Sequence, residues 1–522
     1  MIYKAWLASK AISNEDKDRI NKMTKIEKAE AFNGCLNFGT AGLRGIMDVG
    51  TNRMNTYVIA QVSQAIANFM NDKNQKNVVI ACDTRNNSEL FKNTAVNVFL
   101  LNNLNVFIFD SVVPLALLSY AVRKLKCDFG IYITASHNPK EYNGYKVFDK
   151  TGCQINEKVA DIISSYRDDV DILSEYQKSE RTPTIIDNSL FKSFAKEIKK
   201  AKVHDVNNLN ITYTGLYGTG NWFVDRALME FGFDVHVVKE ESVYNGDFPE
   251  LPTPNPEDES AFKKALIVAE ENKSDIIIGT DPDADRIGVL VRHHNQYIKL
   301  TGNQVGVLLA NYFTKYKKVK KPCVILSDVS TNMVREICKK NKAEVITVST
   351  GFKNIGAKIN TNKHDFLLGF EESCGYLVGP YIKDKDAIGA SVLVAEMAAF
   401  YKTKKMTLID ELDKLYKKHG YFMEKTISIP VNDKVSLFDI VGIVTDGSLS
   451  ISNLTLKDNI FHFDMKNKCS LTFRRSGTEP KMKIYIKVVS PSETESLELM
   501  ERYCVLAETV RENIGGKNVK NK

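Results

Sequence analysis

The sequence predicts an α/β protein: three similar mixed α/β segments followed by a smaller α+β C-terminal segment. Three observations carry this. The chain has 522 residues, room for three or four domains at about 150 residues each. Up to about residue 425, short β-rich apolar runs alternate with helical patterns, the sequence form of βαβ units and a mostly parallel sheet. Beyond that point strands separated by Gly-bearing turns dominate. At 43% hydrophobic and 26% charged residues the composition is globular, not disordered.

Taken in order, Ser13 to Phe32 reads as one exposed amphipathic helix, with Ser13 and Asp16 in capping-box register and Ile20, Met23, Ile26 and Ala29 near helical spacing. It looks like an N-terminal extension. The first segment has strands at Val78 to Ala81, Val106 to Phe109 and Phe129 to Ile133, with a helix at Leu90 to Asn102. The second has Ile211 to Tyr213, Val235 to Val238 and Ile276 to Ile278, and the third Val324 to Leu326, Val345 to Val348 and Phe366 to Leu368. A hairpin is expected at Ile287 to Val291 and Tyr297 to Leu300, with His293 and His294 at its tip. In the last segment Leu471 to Phe473 and Met482 to Val488 flank a loop. The expected units are 1–195, 196–305, 306–425 and 426–522.

Several function classes fall away. No apolar run approaches the roughly 18 residues of a membrane span, and Lys4 and Lys10 interrupt the stretch a signal peptide would need. A cytoplasmic protein is expected. The nine cysteines are an odd number with no C-x-x-C pair, which disfavours a zinc site or a disulfide framework. The net charge of +7 comes from scattered lysines; clusters such as Lys317, Lys318, Lys320 and Lys321 read as solvated surface, and no nucleic-acid motif accompanies them. A small anionic ligand suits the same balance.

The last strand of each of the first three segments runs into a polar loop, and ligands of open α/β sheets bind beyond the carboxyl ends of strands. Ile278 leads to Asp281-Pro282-Asp283-Ala284-Asp285-Arg286. If that stretch stays extended, its three carboxylates share one face, a hard-oxygen set suited to Mg²⁺. It is not an EF-hand, because Arg286 and Arg292 stand where that loop needs Gly and Glu. Ile133 leads to Thr134-Ala135-Ser136-His137-Asn138-Pro139. Adjacent Ser and His rarely face each other as nucleophile and base, and no G-x-S-x-G elbow surrounds the serine, so a serine hydrolase is a poor fit. Asn143-Gly144-Tyr145-Lys146 follows closely and supplies a cation for a phosphate or a proton transfer. Leu368 leads to Glu371-Glu372-Ser373.

Gly39-Thr40-Ala41-Gly42-Leu43-Arg44-Gly45 lets backbone amides and a guanidinium approach an anion, although such a turn is often only a turn, and no Walker A loop occurs. Arg474, Ser476, Gly477 and Thr478 offer donors for a phosphate, or equally a polar hairpin end. His204, His236, His364, His419 and His462 are scattered and read as structural or exposed.

Taken together, these loops resemble those of the α-D-phosphohexomutase family of phosphoglucomutases and phosphomannomutases, in the same order and over nearly the whole chain after about residue 36. The resemblance implies four domains around a central cleft. It implies that Ser136 carries and transfers a phosphoryl group, that Asp281, Asp283, Asp285 and the Ser136 phosphate hold one Mg²⁺, and that Arg286 follows them in the site. By the same resemblance Arg44 lies near the phosphoserine, while His137 and Lys146 help with proton transfer. Lys353, in Gly351-Phe352-Lys353, sits near the substrate; Glu371 and Ser373 hold sugar hydroxyls; and Arg474, Ser476, Gly477 and Thr478 hold a phosphate.

The implied activity interconverts glucose 1-phosphate and glucose 6-phosphate through glucose 1,6-bisphosphate, which also serves as activator, with mannose phosphates as further substrates. Departure from the D-G-D-G-D-R common in phosphomannomutases leaves the sugar open, and phosphopentomutase and phosphomannomutase stand as alternatives. A non-catalytic phosphosugar-binding protein is the alternative of a different class, disfavoured by the intact Ser136 and all three aspartates. The expected partner is a small sugar phosphate, with no nucleic acid or membrane, on a monomer or homodimer.

Overall fold

Three of the four sheets in the computed structural model follow one plan. The structure describes residues 2–37, 42–431, 441, 444, 451–457, 460–475 and 481–519. The first sheet comprises β1 (Leu43–Ile46), β2 (Asn77–Cys82), β3 (Asn105–Phe109), β4 (Phe129–Ile133), β5 (Tyr142–Asp149) and β6 (Thr184–Ile186), in the order β1-β5-β4-β2-β3-β6. Strand β2 pairs in parallel with β3 and β4, and β5 returns antiparallel beside β4.

The second sheet has β7 (Asn210–Thr214), β8 (Asp234–Val237), β9 (Ile276–Thr280), β10 (Ile287–His293) and β11 (Gln296–Leu300). Here β7 is parallel to β8 and β9, and β10 returns antiparallel beside β9. The third has β12 (Pro322–Ser327), β13 (Glu344–Val348), β14 (Asp365–Glu371) and β15 (Gly375–Val378), with β12 parallel to β13 and β14 and β15 antiparallel to β14. The recurrence expected from the sequence is therefore a recurrence of topology: a parallel trio whose third strand ends in a turn to an antiparallel neighbour. The three polar loops are those three turns.

Near-continuous apolar strands explain the layering. Each residue of β4 and β9 is buried, as expected where helices cover both faces of a parallel sheet. Most strand edges fall within two residues of the sequence expectation, and the β10–β11 hairpin places His294 and Asn295 at a turn with positive φ.

Helix Ala387–Thr403 is buried throughout from Ala387 to Tyr401, the behaviour of a helix that is apolar on every side. It contacts β10, β15 and helices Ser189–Ala201 and Val224–Glu230, and one apolar core runs from residues of the first sheet to Leu415.

The fourth sheet is wholly antiparallel: β16 (Tyr421–Pro430), β17 (Ile451–Lys457), β18 (Ile460–Met465), β19 (Ser470–Arg475) and β20 (Lys481–Ser490), in the order β16-β20-β19-β18-β17. Helix Glu493–Val519 packs on β20 and β16, and the sheet has its own core. Its Lys487 ammonium donates to the carbonyls of Asp328 (2.8 Å) and Ser330 (2.6 Å) in the third unit.

The N-terminal expectation is corrected. Instead of one exposed helix over Ser13 to Phe32 there are two, Asn14–Lys22 and Lys25–Phe32, preceded by a further helix, Ile2–Ala8. Ser13 does cap as predicted, its Oγ accepting from the Asp16 amide at 3.1 Å. The break at Met23 arises because Thr24 and Glu27 form a capping box of their own, which starts a new helix and rotates its buried face. Ile20 and Met23 are buried with Trp6 and Phe32, while Ile26 is 73% exposed. Lys317, expected as solvated surface, donates to the carbonyls of Lys200, Ala201 and Lys202 at the end of helix Ser189–Ala201. Among the described residues no helix is long and apolar enough to cross a membrane.

Candidate active site

The turn after β4 presents Ser136 in a left-handed conformation, φ +53°, which a non-glycine residue adopts only where its surroundings hold it. Those surroundings are specific. The Ser136 amide donates to Thr134 Oγ1 at 2.7 Å, and Thr134 Oγ1 donates to Asp83 Oδ2 at 2.6 Å. Arg85, itself buried, donates to four backbone carbonyls of the same turn: Ser136 and Asn138 (2.5 Å each), Pro139 (2.9 Å) and Tyr142 (3.1 Å). Asp83 stands 3.5 Å from the Arg85 Nε. On β5, a Cβ at Gly144 would lie 2.5 Å from the Thr134 carbonyl oxygen and 2.6 Å from that of Leu43, so only glycine lets the three strands approach there.

The Ser136 hydroxyl lies 2.9 Å from Asp281 Oδ2, to which it donates, and 3.2 Å from His137 Nδ1. The expectation that neighbouring Ser and His would not face each other is thus corrected; the left-handed turn at Ser136 brings the two side chains together. Burial, with the charges of Arg286 and Arg44, pushes the His137 pKa well below the usual imidazole value. A neutral imidazole can accept a proton.

Asp281, Asp283 and Asp285 offer oxygens that all lie within 4.8 Å of one another, and all three residues are buried. They do not converge by staying extended. Ala284 has φ +48° and its amide donates to the Asp281 carbonyl at 2.8 Å, while Asp281 Oδ1 accepts the amides of Asp285 (3.1 Å) and Arg286 (2.9 Å). A tight turn therefore gathers the carboxylates. Lys146 donates to Asp283 Oδ2 at 2.8 Å and lies 3.4 Å from Asp285 Oδ2, and Lys385 reaches the latter oxygen at 3.0 Å. Arg286 pairs with Glu257 at 2.5 Å.

The charges divide unevenly across this cluster. Burial, then Asp283 and Asp285, push the Asp281 carboxyl well above the carboxylate range. Burial acts the same way on Asp285, but Lys385, Lys146 and Arg286 outweigh it and hold that group well below its ordinary value. One oxygen each of Asp283 and Asp285 is buried without a hydrogen-bond partner. Two orphaned carboxylate oxygens beside a third buried carboxylate are costly, and a hard divalent cation such as Mg²⁺ satisfies them.

Arg44, on β1, donates to Asn138 Oδ1 at 2.9 Å and so stands over the serine turn. Glu371 ends β14, is buried and accepts the Gly351 amide at 2.7 Å. Ser373 lies in the turn from β14 to β15, which is stitched to the aspartate turn: Arg286 bridges Gly375, and the Ile287 amide donates to the Cys374 carbonyl at 3.0 Å. Burial and neighbouring Glu371 push the Glu372 carboxyl up to about 7.

Lys353 opens helix Phe352–Thr361 and lies 3.7 Å from Glu157 of the first unit. Arg474, near the end of β19, lies close enough to Tyr485 that its charge opposes the burial and the Glu372 charge that raise that phenol's pKa. Ser476, Gly477 and Thr478 lie outside the described residues.

The structure thus brings Ser136, His137, Lys146, Arg44, Arg286 and the three aspartates together, with Glu371 and Ser373 on the adjoining turn. Sequence reasoning missed Asp83, Arg85 and Lys385. The first two directly follow β2, so the rule that strand ends carry function could have found them.

Comparison with known proteins gives a consistent picture. Residues 36–171, 190–295 and 301–419 match the phosphoglucomutase/phosphomannomutase α/β/α domains I, II and III. A phosphomannomutase of Mycoplasmoides pirum is 34% identical over 515 residues, spanning 93% of this chain and 94% of that protein. A phosphoglucomutase of Staphylococcus saprophyticus is 31% identical, spanning 90% and 94%. A solved structure from Thermus thermophilus, assigned as a phosphomannomutase, has the same fold, with a TM-score of 0.73 at 22% identity over 90% of this chain and 99% of that one.

Proposed function

Because the chain belongs to the phosphoglucomutase/phosphomannomutase family of intramolecular phosphotransferases, we propose that it interconverts glucose 1-phosphate and glucose 6-phosphate through a phosphoserine at Ser136. The observation that carries this reading is the Ser136 hydroxyl 2.9 Å from Asp281, at the edge of three converging buried carboxylates. A second substrate, mannose phosphate, is favoured by the phosphomannomutase relative at 34% identity.

In the proposed cycle the bond between phosphorus and Ser136 Oγ breaks as a sugar hydroxyl oxygen bonds to phosphorus. The sugar becomes a bisphosphate, reorients, and returns its other phosphoryl group to Ser136. Splitting the rearrangement into two in-line transfers lowers each barrier. His137, neutral and beside Oγ, takes the hydroxyl proton and gives it back in the second half. Lys146 pairs with Asp283 and Lys385 with Asp285, which fixes both carboxylates in place. Asp281, Asp283 and Asp285 would hold Mg²⁺, which when bound offsets negative charge on the transferring group.

Arg44 and Arg286 add positive charge around the serine turn. Glu371 and Ser373 would take sugar hydroxyls, Lys353 would face the substrate, and Arg474 with Ser476, Gly477 and Thr478 would grip the phosphate that is not reacting. A remote grip of this kind positions the reacting end. Glucose 1,6-bisphosphate is the proposed activator, since it rephosphorylates Ser136 after loss of the intermediate. The proposed units are 1–195, 196–305, 306–425 and 426–522, in a cytoplasmic monomer or homodimer.

The test is isomerisation of glucose 1-phosphate, mannose 1-phosphate and ribose 1-phosphate under identical conditions, with Mg²⁺ and catalytic glucose 1,6-bisphosphate. Glucose exceeding ribose in kcat/KM by more than about tenfold, about 1.4 kcal/mol of transition-state binding, is the expected result. A ribose preference would move the proposal to a phosphopentomutase, and no turnover of any of the three would overturn it.

A further inference from the structure

A cavity of about 860 Å³ lies among the C-terminal end of helix Leu115–Lys124, helix Ser189–Ala201, the start of β14 and the segment Val378 to Lys383. That volume is within the roughly 300–1,000 Å³ of small-molecule sites. It is separate from the catalytic cluster. The cavity meets β14 at Asp365 to Leu367, whereas Glu371 ends the strand at the site, four to six residues or about 13–20 Å further along that strand; the two approach each other most closely along the segment where Lys383 lines the cavity and Lys385 reaches Asp285.

Five cationic side chains and two carboxylates line this cavity. The carboxylates are already engaged, Glu197 by Lys200 at 3.0 Å and Asp365 by the Lys321 amide at 2.8 Å. Lys317 is occupied by its three carbonyls. Lys124, Lys383 and Arg123, which commits only its Nη1 to carbonyls, remain. Arg123 donates to the carbonyls of Pro380 and Tyr381, and Lys124 stands 5.2 Å over the Tyr120 ring.

Lys383 is only 7% exposed, yet its ammonium donates to the Pro380 carbonyl alone, at 3.3 Å, and no carboxylate among the described residues pairs with it. Burial, aided by Arg123, draws its pKa down to about 8. A buried ammonium without a counter-charge is costly in the empty site and becomes an asset when an anion enters. The rest of the wall is apolar or aromatic, including Phe313, Phe366 and Tyr381.

We propose that this cavity binds a phosphate monoester carried on an aromatic or apolar body, with the phosphate held by Arg123, Lys124 and Lys383 and the body against the aromatic wall. Guanidinium and ammonium groups supply the charge-assisted bonds that a phosphate dianion takes. Isothermal titration calorimetry on the full chain tests this, with 1-naphthyl phosphate as probe and inorganic phosphate as comparison.

The expected result is that 1-naphthyl phosphate binds at least about tenfold more tightly than inorganic phosphate. Lys383→Met and Lys124→Ala should each weaken it, Lys383→Met by about tenfold or more, while Ser136→Ala leaves it unaltered. Should Lys383→Met fail to fold, Arg123→Ala, on the exposed end of its helix, carries the same expectation. Equal affinity for the two probes overturns the proposal, as does affinity unchanged in the cavity variants. A loss confined to Ser136→Ala would place the probe at the catalytic cluster and overturn it as well.

Discussion

The turn after β4 and the strand end of β19 both carry proposed phosphate contacts, but they are held in different ways. Around Ser136, every neighbour is fixed: Arg85 ties four carbonyls, Thr134 and Asp83 hold the amide, and the adjoining turns of the second and third sheets are hydrogen-bonded to each other. Arg474 belongs to a sheet with its own core, joined to the third unit through contacts such as Lys487 with the Asp328 and Ser330 carbonyls. Chemistry that depends on sub-ångström placement sits in the fixed block. The proposed grip on the distal phosphate sits instead on the separately cored sheet.

That contrast makes ordered predictions. Ser136→Ala removes the atom proposed to carry the phosphoryl group, and kcat should fall by about 10⁴-fold or more with thermal stability unchanged; residual turnover within tenfold of the parent would break the covalent scheme. Asp283→Asn should weaken the apparent Mg²⁺ affinity by at least about 100-fold, read from activity and from metal-dependent shifts in melting temperature. An unchanged Mg²⁺ requirement would take the carboxylates out of the site.

Arg474→Ala should raise KM by about 10- to 100-fold, the worth of a charge-assisted hydrogen bond, with kcat within about threefold. If kcat falls while KM holds, the distinction between the two walls fails.

The smallest effect concerns the cohesion of the block. Asp386 caps helix Ala387–Thr403 through the Ile388 amide (2.9 Å) and accepts the Tyr381 hydroxyl (2.5 Å), and burial, opposed by Tyr381, pushes its pKa up to about 6. A raised carboxyl pKa means that the folded state holds a proton the unfolded state has lost. This group's stabilisation is therefore full below about pH 4 and fades as pH rises through 6. Asp386→Asn should remove that slope, gaining on the parent by on the order of 2–3 kcal/mol between pH 4 and 7 in urea unfolding. Parallel slopes for the two proteins would show that the carboxyl is not buried as an acid.

Much of this arrangement is legible in the sequence, for a physical reason. Alternation of apolar strands with helical patterns marks the three mixed sheets, and polar loops at strand ends mark Ser136, the aspartates and Glu371. What escapes is whatever long-range contact decides. Asp83-Thr84-Arg85 has no chemical signature by itself; Arg85 acquires its role from carbonyls more than fifty residues away. Lys385 comes to Asp285 from another unit. The aspartate loop is recognisable by its residues but not by its shape, because a left-handed Ala284 is set by its surroundings and not by local preference. The N-terminal stretch reads as one continuous helix because its apolar spacing masks the Thr24 cap.

The helix Ala387–Thr403 imposes an order on synthesis. Its side chains complete the apolar core that the first three sheets share, so that core cannot close until the ribosome has delivered residue 403. At about 5–20 residues per second, roughly 10–40 s separate the emergence of β7 from that moment. Throughout that interval the nascent chain displays the apolar faces this helix will cover, the kind of surface through which incomplete folds aggregate.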